Sequence, residues 1–375
     1  MKQHVLRPLA AALAVALAMP AMADKQLGEV TVSSGRSVGA KPVLRDEIVA
    51  TESIGAREIE KTGATMLTEL LDKRPGISTQ VECSICNVRN VVLNNLPGRY
   101  TTLMIDGIPI FSSVSTAYGL DSVNLGGIER IDISRGAGTS LIAPEALAGS
   151  VNVVTRRPTK DEFMANQQFG SYGQWSTDLF GAKAFTGGAV TANFNHNQHN
   201  TVDGDGNGVS EYSGFKRNLG GIGFFLDDLG GFNIKGRLDI IDEKRMGGAM
   251  GRDYDKVKAS LSGNPFNWSK GQNASPSAGG WWSNDSAGII PYDGGLGQMS
   301  EIIFTDRKQF VTSATRKLGA GSMRVAFGYA KHKQDSFYEG SIYKADQNQY
   351  YVEASTQQPL GATLMTTGVT YRYED

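Results

Sequence analysis

The sequence predicts an α+β domain followed by antiparallel transmembrane β-barrel strands. Between residues 46 and 160, short β-branched runs alternate with Gly and Pro, and one stretch has apolar residues at helical spacing. From residue 161 onward, apolar and polar residues alternate, as in strands with one lipid-facing and one water-facing side. Glycine accounts for 46 of 375 residues, which suits the many turns and bends of β-structure.

The overall composition argues against several classes of protein. The formal net charge is −1, so there is no basic excess of the kind that nucleic-acid partners require. The mean hydropathy of −0.26 is too polar for a bundle of membrane helices.

His196 and His199 are three positions apart on a predicted strand, face opposite sides and make a poor metal pair. No hydrolase, phosphate-loop or zinc-protease motif is present, so we expect no enzyme.

The N-terminus has the pattern of a secretory signal peptide over residues 1–23. Lys2 and Arg7 precede an apolar run at 9–19, and Ala21-Met22-Ala23 fits a cleavage site. The alternative of an anchor helix is disfavoured because the run is too short to span a bilayer. We therefore expect the mature chain to start at Asp24 and to leave the cytoplasm.

Three motifs and one helix characterise residues 46–160. The motifs are Asp-Gly-Ile-Pro at 106–109, Ile-Glu-Arg-Ile at 128–131 with Arg-Gly at 135–136, and Val-Asn-Val-Val-Thr-Arg-Arg-Pro at 151–158. Their marker residues are Asp106, Gly107, Glu129, Arg130, Arg135, Gly136 and Asn152. Apolar spacing predicts a helix at 66–71, stopped by Pro75-Gly76, and Ser53 is a candidate cap for an earlier helix. A small mixed sheet should accompany these helices.

Together these motifs resemble the plug domain of TonB-dependent outer-membrane transporters. The resemblance implies an α+β plug at 46–160, a partial transmembrane β-barrel at 161–375, and a place in the outer membrane of a Gram-negative bacterium. It also implies that plug arginines lock onto barrel carboxylates, and that the cargo is a scarce metal chelate such as a ferric siderophore, haem or cobalamin. Residues 93–96 and 141–144 depart from the family pattern, so the substrate subfamily stays open.

The segment at 24–45 contains a short β-prone peptide that resembles the family's TonB box. The residues concerned are Glu29, Val30, Thr31 and Val32. An extended, unpaired peptide can add a strand to the edge of a partner's sheet. The resemblance therefore implies the TonB–ExbB–ExbD complex as a partner. A loose N-terminal tail is the alternative.

Cys83 and Cys86 are the only cysteines and lie three positions apart, with two residues between them. In an exported protein we favour a local disulfide, while a soft-metal site or redox chemistry stays open. A zinc site would need two further ligands, and none lie nearby in sequence. By resemblance this region lies toward the plug apex. The candidate substrate side therefore consists of Cys83, Cys86, Arg99, Trp281 and Trp282.

About nine strands are predicted after residue 160. They cover 163–171, 174–185, 189–199, 215–226, 232–242, 301–318, 323–337, 349–357 and 363–373. Short links alternate with longer ones at 200–214, 243–300 and 339–348, which is typical of outer-membrane barrels and disfavours a soluble β-sandwich. Plugged transporters have 22 strands, so we expect the chain to be an N-terminal fragment that does not transport by itself. The functional alternative is a β-barrel adhesin or passive porin.

One loop carries a candidate cation site. Asp203 and Asp205 lie in an Asp-Gly-Asp-Gly-Asn-Gly run that offers oxygen ligands for Ca²⁺. The run lacks the Glu that an EF-hand needs at its twelfth position. A plain polar turn is therefore favoured, and we expect no resident cofactor or metal.

Overall fold

The structure is a computed structural model that describes residues 50–72, 74–83, 87–110, 120–136, 143, 145–206, 210–248, 300–338, 341–361 and 363–375. The N-terminal domain, hereafter the plug, is built on a four-stranded mixed sheet. Its strands are β1 (Ala50–Gly55), β4 (Thr101–Ile105), β5 (Ile128–Arg135) and β6 (Gly149–Thr155), in the order β1-β5-β6-β4. Only the β4–β6 pairing is parallel. The expected small mixed sheet is therefore present.

Two short helices and a hairpin cover this sheet. Helix α1 (Ala56–Thr62) ends at Gly63, and α2 (Leu67–Asp72) buries Leu67, Leu70 and Leu71 completely. The hairpin pairs β2 (Ile77–Cys83) with β3 (Val88–Leu93). None of the helices in the described ranges has the length and apolar character needed to cross a membrane.

The proposed helix cap at Ser53 is wrong. The residue at the N-terminus of α1 is Gly55, which makes no side-chain cap. Ser53 lies in β1, two residues earlier, and its hydroxyl donates to Asp132 on the neighbouring strand β5 over 2.5 Å. The strand therefore continues past the polar residue that looked like a helix start.

The second half of the chain forms one antiparallel nine-stranded sheet, hereafter the barrel sheet, in which each strand pairs with the next along the chain. Its strands are β7 (Glu162–Phe169), β8 (Trp175–Phe185), β9 (Gly188–His199), β10 (Gly214–Leu229), β11 (Phe232–Gly248), β12 (Ser300–Leu318), β13 (Gly321–Tyr338), β14 (Ser341–Leu360) and β15 (Thr363–Glu374). The α+β plug followed by nine antiparallel strands confirms the predicted fold class.

The predicted long loop at 339–348 is wrong. Strand β13 reaches Tyr338 and β14 begins at Ser341, so most of that segment is paired strand. Lys344 and Asp346 of this segment lie on the outer face and pair with Asp335 and Lys333 on β13. These exposed charges made this part of the strand look like a loop.

The strands are tilted relative to the row of short turns at one end of the barrel sheet. Phe185, at the first such turn, aligns through six strand pairings with Ala354 on β14, whereas β14 continues to Leu360 before its own turn. The turns therefore shift by about one residue per strand, which at ~3.4 Å per residue and ~4.8 Å between strands means a tilt of about 35°. This tilt is typical of outer-membrane barrels.

The inner face of the barrel sheet packs directly on the plug. Val311, Ala326, Ala330 and Tyr351 of the barrel sheet belong to the same buried cluster as the plug core. A Cβ added at Gly328 would lie 2.7 Å and 2.8 Å from methyl groups of Ile108 and Ile110. Only glycine allows the two domains to approach this closely here.

Candidate functional site: the plug–barrel interface

The Asp106-Gly107 motif forms a tight turn between β4 and the following residues. Ile105 and Ile108 exchange two backbone hydrogen bonds, of 3.1 and 2.9 Å. Asp106 and Gly107 both have positive φ, 53° and 75°, which is the type I′ geometry that Asp-Gly favours. The amide of Gly107 donates to Asn152 Oδ1 over 2.8 Å, so the turn is fixed to β6. The structure thus brings three of the predicted motif residues together.

Asp106 connects the plug to the barrel sheet through hydrogen bonds from two barrel side chains. Its side chain is 6% exposed and accepts hydrogen bonds from the amide and hydroxyl of Thr155. Lys235 on β11 donates to the same carboxylate over 2.6 Å. Arg324 on β13 donates to the Asp106 carbonyl over 2.8 Å and is itself paired with Glu353. Two barrel cations thus converge on one plug turn.

A second contact lies further along β10 and β11. Arg217 and Arg245 both pair with the carboxylate of Glu243, at 2.6 and 2.8 Å, and all three side chains are at most 3% exposed. Both guanidinium groups also bind the plug. Arg217 donates to the Asp121 carbonyl over 2.7 Å, and Arg245 donates to the Asn87 carbonyl over 2.8 Å. We call these three barrel residues the Glu243 triad.

Arg307 on β12 makes a third contact of the same kind. It donates to the Ile110 carbonyl over 2.6 Å and to Gln309 over 2.9 Å. Gln309 in turn donates to Asp239 over 3.1 Å. The acceptors at 87, 110 and 121 lie within two residues of the plug segments 84–86 and 111–119, which are outside the described residues. The barrel sheet therefore holds the plug immediately beside those segments.

The expectation that plug arginines lock onto barrel carboxylates is wrong for Arg130 and Arg135. It is confirmed for Arg156 and Arg157 of the third motif, which pair with Glu162 on β7 and Asp227 on β10. Arg135 pairs with Glu52 over 2.9 Å and donates to the Pro75 carbonyl, both within the plug. Arg130 pairs with Glu129 and Asp132, its neighbours on β5. At the contacts above the barrel supplies the cations and the plug supplies carbonyl and carboxylate acceptors. Gly136 ends β5 with a φ of 102°.

Most of the predicted substrate-side residues cannot be placed. Cys86, Trp281, Trp282 and the TonB-box-like residues Glu29, Val30, Thr31 and Val32 lie outside the described residues, as does the side chain of Cys83. Arg99 lies in a short turn after β3, with its guanidinium 4.8 Å from the ring centre of Tyr100. The substrate-side role of Cys83, Cys86, Arg99, Trp281 and Trp282, and the partner-binding role of the TonB-box-like residues, stay predictions.

An aromatic contact missed by the sequence ties the plug hairpin to the loop at 200–213. Arg89 on β3 donates to the Tyr212 hydroxyl over 2.8 Å. The ring of His199 lies 5.0 Å from that of Tyr212 and 6.1 Å from that of Tyr172. These residues come from three separate segments, so their spacing along the chain carried no signal.

The structure adds a third carboxylate to the candidate Ca²⁺ site. Ligand oxygens of Asp203, Asp205 and Glu211 lie within 4.8 Å of one another. Asp203 accepts the amide of Gly206, and Glu211 accepts that of Gly204, over 2.7 and 2.6 Å. These bonds are those of an ordered polar turn, and Ca²⁺ binding stays a prediction.

Comparison with known proteins identifies a known domain family in the N-terminal part of the chain. Residues 43–150 match the family described as TonB-dependent Receptor Plug Domain. The chain is 27% identical over 148 residues to the vitamin B12 transporter BtuB of Vibrio vulnificus, covering 39% of this chain and 24% of that protein. The same transporter of Photobacterium profundum is 27% identical over 149 residues, 38% of this chain and 24% of the relative.

Solved structures show the same fold over most of the chain. The ferric yersiniabactin uptake receptor FyuA of Yersinia pestis matches with a TM-score of 0.62 and 14% identity, over 87% of this chain and 48% of that one. The siderophore receptor PirA of Acinetobacter baumannii matches with a TM-score of 0.61 and 15% identity, over 86% and 48%. The chain thus spans about half the length of these structures. Residues 43–150 thus match the plug-domain family of TonB-dependent receptors, and the chain shares the fold of solved receptors of this kind, which supports the resemblance seen in the sequence.

Proposed function

We propose that the protein takes up a scarce metal chelate across the outer membrane by TonB-dependent movement of the plug. The observation that carries this proposal is the polar attachment of the plug to the barrel sheet. Lys235, Arg324 and the arginines of the Glu243 triad, together with Arg307, make five hydrogen bonds to plug acceptors. Each bond to a charged donor is worth ~2 kcal/mol, so the set amounts to about 10 kcal/mol.

That strength suits a plug that is stationary at rest and moves under load. Thermal energy alone rarely breaks five such bonds at once, whereas a pulling force can break them in turn. Once broken, the polar groups can be solvated by water in the lumen, so displacement need not leave them unpaired. A passive porin needs no such reversible attachment, because its channel stays open.

The force would come from the TonB–ExbB–ExbD complex acting on Glu29–Val32. An extended peptide at these positions can pair with the partner's sheet through its backbone. The peptide is N-terminal to β1, with residues 33–49 between them, so a pull on it would reach the plug sheet through the strand that pairs with β5.

The proposed cargo is a small metal chelate, and three classes of chelate can be tested directly. The sequence relatives are named as vitamin B12 transporters, and the structural neighbours are named as ferric siderophore receptors. Haem is a third member of the expected cargo set. The 14% identity to the siderophore receptors carries the fold alone.

The decisive experiment separates cargo binding from uptake. In the native host, residues 27–32 are deleted, and binding and uptake of radiolabelled cobalamin, haem and a ferric siderophore are measured at equal surface expression. We expect one cargo to bind as before while its uptake falls at least tenfold. A matched substitution of Ser33 and Ser34 by Ala should leave both unchanged. Unchanged uptake in the deletion variant, or the absence of specific binding, would favour the adhesin or porin alternative.

A further inference from the structure

A cavity lies between the plug and the first two strands of the barrel sheet. Its volume is about 390 Å³, within the range of small-molecule pockets. Its walls come from α1 of the plug, from Gly126 and Gly127 ahead of β5, and from the inner face of β7 and β8. The barrel cations that bind the plug, described above, lie on β10 to β13. None of them crosses this cavity.

One part of the cavity wall is apolar. Ile59 of α1 and Phe180 of β8 are 6% and 4% exposed, and Leu125 and Met164 lie on the same wall. The plug can approach Phe180 because residue 127 is glycine, since a Cβ there would lie 2.4 Å from the ring. A molecule with a hydrocarbon portion would cover these side chains and gain from removing apolar surface from water.

Another part of the wall carries two carboxylates that have no cation. Asp178 on β8 is half-buried, and among the described residues it is bonded only to the side-chain amide of Asn195. Glu60 on α1 also lines the cavity, and it forms no ion pair within the described ranges. A carboxylate that is partly removed from water is stabilised by a cationic partner. The plug and the barrel sheet each contribute one such group.

Arg156, which also lines the cavity, does not neutralise these two acids. It lies 3.0 Å from Glu162 on β7, and its guanidinium is 5.1 Å from the centre of the Phe180 ring. The charge of Arg156 is therefore balanced by Glu162, and the charge that remains on the wall is negative. Glu60 is exposed, so a solute can approach the cavity from the solvent. The charge and the apolar wall together select an organic cation.

We propose that this cavity binds an aliphatic diamine, with one ammonium group at Asp178, the other at Glu60, and the hydrocarbon chain on the apolar wall. Each ammonium group supplies three N–H donors for the carboxylates. A divalent metal ion fits less well, because it binds through about six oxygen ligands and makes no use of the apolar wall. The bound diamine links α1 of the plug to β8. This site needs neither the cargo nor the TonB complex of the proposed function.

The test measures diamine binding by isothermal titration calorimetry. Protein purified from outer membranes in detergent is titrated with putrescine, with butylamine, which has one ammonium group on the same chain, and with Mg²⁺. We expect putrescine to bind about tenfold more tightly than butylamine, because the second ammonium group adds a hydrogen bond between charged groups. Putrescine should also raise the thermal unfolding midpoint, since a ligand of the folded state stabilises it.

Single substitutions then locate the site. Asp178→Asn and Glu60→Gln should each weaken putrescine binding about tenfold, because each removes one charged acceptor. Asn166→Trp fills the cavity from β7 and should abolish binding, whereas Asn166→Ala should keep it.

The matched control is Asp161→Asn, which removes an exposed carboxylate paired with Lys183 and should leave putrescine affinity unchanged. The change in gel mobility on heating verifies that every variant is folded. Absence of putrescine binding, wild-type affinity in Asp178→Asn, Glu60→Gln or Asn166→Trp, or butylamine or Mg²⁺ binding as tightly as putrescine would overturn the proposal.

Discussion

Lys235 on the barrel sheet donates a 2.6 Å hydrogen bond to the carboxylate of Asp106 in the plug turn. The bond joins residues 129 positions apart in the chain. It is the only one of the five barrel-to-plug hydrogen bonds described above that ends on a plug side chain, so it can be removed by a substitution in the plug without touching the barrel.

The substitution Asp106→Asn should loosen the plug. Asn tolerates the positive φ of this turn, so the loss is that of a charged acceptor and amounts to about 2 kcal/mol. We expect a lower thermal unfolding midpoint and a raised ion conductance in planar bilayers. The control Asp161→Asn removes an exposed carboxylate paired with Lys183 and should change neither. An unchanged conductance in Asp106→Asn would show that the turn does not hold the plug.

The substitution Glu243→Gln should be more damaging. It leaves Arg217 and Arg245 buried beside each other without their shared carboxylate, and breaking a buried ion pair costs ~3–5 kcal/mol. The measurement is the free energy of unfolding from urea titration. Glu145→Gln is the control, because its carboxylate is 40% exposed beside Arg372 and exposed pairs contribute at most about 1 kcal/mol. Equal losses in the two variants would contradict the role of the triad.

The substitution Gly328→Ala tests the close approach of plug and barrel sheet. The new methyl group would meet Ile108 and Ile110 at under 3 Å, and overpacking of this kind costs ~1–3 kcal/mol. The matched control is Gly220→Ala on β10, where a Cβ meets nothing within 4 Å. Thermal unfolding of both variants gives the answer, and a shift for Gly220→Ala as large as that for Gly328→Ala would count against the contact.

The cysteine pair gives a prediction from sequence alone. If Cys83 and Cys86 form the favoured disulfide, thiol titration of the denatured protein should find no free thiol before reduction and two afterwards. The variant Cys83→Ser/Cys86→Ser then distinguishes a substrate-side role from a local staple. Weaker cargo binding with an unchanged unfolding midpoint would support a role of the cysteine pair at the substrate side. Unchanged cargo binding would show that the disulfide has only a local structural role.

The sequence predicted the strands well but not the contacts between the two domains. Alternation along a strand is a local property, so all nine barrel strands could be located from it. The same alternation shows that Arg217, Glu243 and Arg307 share a face with other residues of their strands, but not whether that face meets water or the plug. Arg217 and Arg307 bind backbone carbonyls of the plug. Every residue has a backbone carbonyl, so no sequence pattern predicts these contacts.

The predicted motif residues had a more mixed outcome. Asp106, Gly107 and Asn152 lie together because a tight turn constrains its own side chains locally. Arg130 and Arg135 paired inside the plug because β1 brings Glu52 beside β5, and β5 carries its own acids. The resemblance placed the carboxylate partners of these two arginines in the wrong domain, whereas Arg156 and Arg157 do pair with barrel carboxylates.

Barrel arginines that bind main-chain oxygens place no demand on the side chains at 87, 110 and 121. Any residue at those positions offers the same carbonyl, provided that the backbone keeps its path. The sequences of the neighbouring segments 84–86 and 111–119 can therefore change while the bonds that attach the plug to the barrel sheet are kept.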